Sequence, residues 1–162
     1  MATATYIPIA TQTLGSTTSG INFSSIPQTY TDLRIVFTTT STANMFLALN
    51  GDTSSSYSTT ILYGDGTSPS SGSNTNINYA YTSVSQTNIS YPSMVIVDIF
   101  SYANSSVYKT ILSSQATDKN GSGTVGSTVS LWRSTAAVNA IGFSAYIGGT
   151  YQPGTTVTIW GI

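Results

Sequence analysis

The stretch GSTVSLWRSTAAVNAIGFSAYIGGTYQPGTTVTIWGI, Gly126–Ile162, decides the fold. Val129 and Leu131 alternate with Ser130 and Trp132. Ile141, Phe143, Ala145 and Ile147 alternate with Gly142, Ser144 and Tyr146, and Val157 and Ile159 with Thr158 and Trp160. A period of two sends successive side chains to opposite faces, so this stretch predicts three half-buried strands. Gly148–Gly154 supplies the glycines and the proline of a chain reversal between the last two. Arg133–Asn139 is too short for a stable helix and reads as a turn or arch. The last strand runs to Ile162, an apolar end that predicts packing against the rest of the sheet.

Working outward, the same alternation recurs. Thr3–Ile9 predicts a first strand, confined to an edge or bulge by Pro8. Ile21 and Phe23 open a short strand. Thr31–Thr38 places Leu33, Ile35 and Phe37 on one face and Asp32, Arg34 and Val36 on the other. Asn44–Leu49, with Met45, Leu47 and Leu49 inward, runs into the turn signal Asn50-Gly51. Tyr57–Tyr63, Asn76–Val84 and Val107–Leu112 are further strands. Ser93–Phe100 is nearly continuous in apolar residues and predicts a central strand covered on both sides. Thr67–Thr75 (TSPSSGSNT) and Asp118–Gly126 (DKNGSGTVG) read as exposed loops. About ten strands at this spacing, with no helical periodicity, no fixed-period repeat and no boundary signal, indicate one all-β antiparallel domain, a sandwich or a barrel.

Composition narrows the function. The chain has 162 residues, enough for one core, and 40% of them are hydrophobic. Charged residues make up only 6%, against about 25% in ordinary soluble domains. Serine and threonine together number 55, so hydroxyls replace charges over the surface. Such a neutral surface does little to keep copies apart, and part of it is expected to be buried in an assembly. Four scattered Lys and Arg make no phosphate-binding patch, which argues against nucleic acid as a partner. No run approaches the about 18 apolar residues of a membrane helix, and Met1–Ala10 lacks the basic and apolar regions of a signal peptide. Without cysteine there is neither a disulfide nor a thiolate metal site.

Several pieces carry a resemblance: YIPIATQTLG (Tyr6–Gly15), FSSIPQTYTDL (Phe23–Leu33), NGDTSSSYS (Asn50–Ser58), LWRSTAAVNAI (Leu131–Ile141) and PGTTVTIWGI (Pro153–Ile162). The chain resembles small virion structural proteins of tailed phages. That resemblance implies a β-sandwich of jelly-roll type and a place in the virion, assembled in the host cytoplasm. It does not choose between capsid cement or decoration proteins and tail-fibre tips.

The residues offer little catalysis. Histidine and glutamate are absent, which removes a triad base and leaves five aspartates in no glycosidase-like spacing. Asp98, inside the apolar run, needs a cationic partner, and Arg34, Lys109 and Arg133 are the candidates for a structural ion pair. Asn50, Asp52 and Asp65 sit in glycine-containing turns, where calcium ligation competes with the ordinary use of Asn and Asp as turn residues. We assign no cofactor and no metal. Aromatic side chains are the remaining resource, and Tyr79, Tyr81, Trp132, Tyr146 and Trp160 are the candidates for a protein interface.

Two readings result. In the first the chain is a cement protein, a homotrimer bound to the major capsid protein. In the second it is a tail-fibre or baseplate tip, bound to other tail proteins and recognising host glycans. Read from Met1, the chain shows no shaft or coiled-coil segment of the sort a fibre uses, which favours the first.

Overall fold

The computed structural model describes residues 5–83 and 88–162. Its elements are twelve strands in chain order: β1 Ile7–Thr13, β2 Gly20–Ser24, β3 Leu33–Ser41, β4 Met45–Leu49, β5 Tyr57–Gly64, β6 Pro69–Ile77, β7 Ala80–Tyr81, β8 Asn88–Phe100, β9 Lys109–Asp118, β10 Gly123–Trp132, β11 Ala140–Ala145 and β12 Thr156–Gly161. They form two antiparallel sheets of unequal size, ordered β1-β12-β3-β8-β9-β10-β5-β6 and β2-β11-β4-β7. The expected antiparallel sandwich is present. The jelly-roll label goes beyond what this strand order displays.

The sheets meet through the alternation seen in the sequence. Leu33, Ile35 and Phe37 of β3, Val95, Val97 and Ile99 of β8, and Val157 and Ile159 of β12 face Ile21, Phe23, Met45, Leu47, Leu49, Ile141 and Phe143 of the small sheet in one buried cluster. Phe37 and Phe143 join the layers edge to face, with ring centroids 5.3 Å apart. The C-terminal end is packed as expected: Ile162 exchanges backbone hydrogen bonds with Asp32 and accepts one from Thr31.

Several boundaries differ from the sequence reading, each for a local reason. The first strand is displaced to Ile7–Thr13, with a bulge between Pro8 and Ala10, and residues 3 and 4 of the expected strand lie outside the described residues. The strand expected over Asn76–Val84 divides between the end of β6, at Asn76 and Ile77, and Ala80–Tyr81, and Val84 also lies outside the described residues. The strand ending at Ala145 leaves Ile147 exposed, because Gly148, at φ 72°, turns the chain. Most informatively, both stretches read as loops contribute strands. Ser70–Thr75 pairs with β5, and Gly123–Gly126 pairs with β9, Val125 and Gly126 pairing with β5 as well. Ser, Thr and Gly hide their strand periodicity because neither face carries a hydrophobic mark.

The inner face of β9 and β10 is itself largely hydroxyl. Thr117 donates to Ser93 at 2.5 Å, and Thr59 shares a 2.6 Å bond with Ser130. Ser113, Thr124 and Thr128 are buried, and their hydroxyls have no partner among the described residues. Ser113 and Thr128 lie side by side in register, between Val97 and Ile61. A buried hydroxyl without a hydrogen bond costs about 1–3 kcal/mol. Thr128→Val keeps the branched shape and removes that cost. We expect it to stabilise the fold by about 1 kcal/mol, which a melting temperature raised by about 2–4 °C would register.

Candidate interaction surfaces

The small sheet covers one face of the large sheet and leaves the other open. On β8 the outward positions are Met94, Ile96, Asp98 and Phe100, and Met94 and Phe100 are exposed. The strand is central but not covered on both sides, which corrects the expectation drawn from its apolar run. The register carries this outer face across the sheet. One row runs Val36, Ile96, Ser114, Ser127, Leu62 and Ser71 from β3 to β6. The next runs Thr38, Met94, Ala116, Val125, Gly64 and Pro69. Leu62 and Val125 are 58% and 69% exposed, far beyond what packing within the chain would leave. With Met94, Ile96 and Pro69 they line a shallow depression of about 840 Å³. Leu112 and Val129, cross-strand neighbours, extend the apolar surface towards the opposite end of these strands.

Charge is nearly absent from this face. From β3 to β6 its charged side chains are Arg34, Asp98 and, at the hairpin end of β9, Asp118. Arg34 and Asp98 are cross-strand partners and neutralise each other, with Nε donating to Oδ1 at 2.7 Å and Nη2 to Oδ2 at 2.8 Å. The hydrogen bond to Asp98 raises the Arg34 pKa further, and Nη1 donates to the Tyr6 hydroxyl at 2.8 Å. The ion pair expected from Asp98 is therefore present with Arg34. Arg133 takes no part in it: its guanidinium donates to the backbone oxygens of Ser55 and Ser56 and to Asn76 Oδ1, because β10 delivers it to the start of β5. Lys109 is fully buried instead, donating to the carbonyls of Asn104, Val107 and Thr135, and burial lowers its pKa.

A second feature lies on the outer face of the small sheet. Phe46 points away from the core, yet it is buried because three tyrosines surround it. Tyr79 stacks on it at 4.7 Å and 13°, while Tyr81 and Tyr146 meet it edge-on at 4.6 and 5.0 Å. Burial raises the Tyr81 pKa, with the neighbouring Tyr146 and Tyr79 adding to it, so the phenols lie close together. Beside this cluster a trough of about 570 Å³ is floored by Ala48, Ala140 and Gly142 and flanked by Asn22 and Ser144.

Three of the five aromatic candidates thus converge, around a phenylalanine outside that set. Its signal was the alternation itself, since Met45 and Leu47 face inward and Phe46 does not. Trp160 lies elsewhere, half buried on the outer face of the large sheet between Pro8 and Arg34. Trp132 leaves the set. It is 2% exposed, stacked near Tyr57, and its indole Nε1 donates to Asp52 Oδ2 at 2.6 Å. On this strand Val129 and not Trp132 faces outward, so Trp132 belongs to the core.

The turn carboxylates are spent on their own loops. Asp52 accepts from Ser54, Ser56 and Trp132, and Asp65 from the backbone of Thr67 and Ser68. Asn50 bonds to the backbone of Ala137, Asn139 and Ala140. Among the described residues no group of three acidic side chains is placed to hold a metal ion. Comparison with protein-family models, with curated proteins and with solved structures finds no match.

Proposed function

We propose that this chain is a non-enzymatic structural protein of a tailed-phage virion, a cement or decoration protein that binds the coat-protein lattice through the outer face of its large sheet. One observation carries the reading. That face exposes Leu62, Met94, Leu112, Val125 and Val129 together, and its strongest charges, Arg34 and Asp98, cancel within it. Contiguous exposed apolar surface of this kind marks a docking site. The partner it fits is a protein surface equally poor in charge, and this reading assigns that surface to the major capsid protein. The setting in a virion rests on the sequence resemblance alone.

The aromatic cluster favours a second reading, a tail tip that binds host glycans. Tyr79 offers Phe46 only one ring face, and the adjacent trough carries amide and hydroxyl groups suited to sugar. Gel densitometry of purified particles separates the two. A ratio to the coat protein near one, or a simple fraction of it, is the expected result. A ratio of about one hundredth would overturn it in favour of the tail tip.

A further inference from the structure

Sheet edges present unpaired backbone N–H and C=O groups, and proteins that stay monomeric blunt them with charge, proline, bulges or brevity. The edges of this chain are treated unequally. At one end of the large sheet, β1 has Pro8 within it and a bulge between Pro8 and Ala10. In the small sheet the edge strands are short, β7 with two residues and β2 with five. At the other end of the large sheet stands β6, with nine residues and no charge. Its only proline is its first residue, and its register with β5 is unbroken from Pro69 to Thr75 before the irregularity at Asn76, where φ is 55°. No backbone hydrogen bond from its outer side to another part of the chain is present among the described residues. Its side chains are small and almost all exposed, so nothing bulky holds a neighbouring strand away.

We propose that β6 pairs antiparallel with β6 of a second copy, across a two-fold axis at Gly72. The occupant follows from the strand itself. Gly72 is the midpoint of the flat stretch, so a pair centred there uses all of it, matching Ser71 with Ser73, Ser70 with Asn74 and Pro69 with Thr75. These are uncharged hydroxyl and amide partners, and no like charges oppose. The contact is isologous, which makes one unguarded strand sufficient for both sides. A two-fold axis perpendicular to the sheet merges two eight-stranded sheets into one and leaves both outer faces on the same side. The pair therefore doubles the docking face proposed above, although its own evidence is independent of that reading.

The chain has no cysteine, so a single introduced thiol reports the contact directly. In this register the two Cα atoms of residue 72 lie about 4.5–5.5 Å apart, within disulfide reach. A Cβ at Gly72 meets nothing within 4 Å, and its φ is not in the left-handed region, so Gly72→Cys is tolerated by the fold. Under mild oxidation of the full chain, Gly72→Cys is expected to cross-link at least tenfold faster than Ser105→Cys, on an exposed turn remote in sequence. Light scattering should show paired mass for the unmodified chain and single-chain mass for Ser71→Lys/Ser73→Lys, with unchanged melting. Equal cross-linking at the two positions, or single-chain mass for the unmodified protein at every concentration up to hundreds of micromolar, overturns the proposal. It does so without bearing on the capsid reading, which particle densitometry tests.

Discussion

Trp132→Ala is expected to cost about 4 kcal/mol and to lower the melting temperature by about 8–16 °C, the largest effect of any single substitution considered. The size follows from what the indole does. It fills the core at the end of β10, with its ring 6.3 Å from Tyr57 and inclined by 17°. Its N–H is one of the hydrogen bonds that gather the β4–β5 turn around Asp52. Oδ1 takes the Ser54 N–H at 2.9 Å and the Ser54 hydroxyl at 2.6 Å, and Oδ2 takes Ser56 at 2.7 Å as well as Trp132. Tyr57 closes the cluster from β5, donating to the Asp52 carbonyl and accepting from the Leu49 N–H. Truncation thus opens a cavity and loosens a turn. Trp132→Phe separates the two contributions: it retains most of the buried ring and loses only the bond to Asp52, at about 1–2 kcal/mol. Urea denaturation of the two variants measures both.

The same cluster sets an acid limit. Burial pushes the Asp52 carboxyl up, but the hydrogen bonds from Ser54, Trp132 and Ser56 outweigh it and hold the group well below the usual carboxylate range. A folded-state pKa below the unfolded value of about 3.9 contributes stability that is complete above that value and is lost as pH falls towards the folded one. Wild type should therefore exceed Asp52→Asn clearly at pH 7, and the gap should narrow as the pH falls below about 4. A gap independent of pH between 7 and 3 would mean that charge on Asp52 contributes nothing.

What the sequence disclosed, and what it hid, divides along one physical line. Wherever an inner face is apolar and an outer face is polar, as in β3, β11 and β12, alternation identified the strand and its inward side. Where both faces are hydroxyl, as in β6, or the inner face is, as at the start of β10, there is no contrast to read, and the strand looks like a loop. Where both faces are apolar, as in β8, the pattern marked a central strand but could not say that only one side is covered. The candidate sites suffered the same ambiguity. Spacing two placed Tyr79 and Tyr81 together, but the meeting with Tyr146 depends on β4 lying between β7 and β11, which is a matter of sheet order. Asp98 found Arg34 because β3 and β8 are neighbours in register, again a long-range fact.

The outer face of the large sheet offers the second large effect. Leu62→Lys/Val125→Lys is expected to reduce attachment to the particle by at least about a hundredfold while leaving the fold within about 0.5 kcal/mol of wild type. Both side chains already lie mostly in solvent, so lysine at either position meets water in the free chain and disturbs no core packing. In a docked interface the same ammonium groups would be stripped of water on a face where Asp98 is already held by Arg34 and Asp118 stands at the hairpin end of β9. A few kcal/mol of uncompensated desolvation is enough for the stated loss, since about 1.4 kcal/mol is a factor of ten. Ser105→Lys, on the exposed turn before β9, adds the same kind of charge and should leave attachment intact. Copies per particle, counted after adding each variant to particles that lack the protein, give the measurement. Normal loading of the double lysine variant would remove the large sheet as the docking face and shift attention to the tyrosines around Phe46, which these substitutions do not touch.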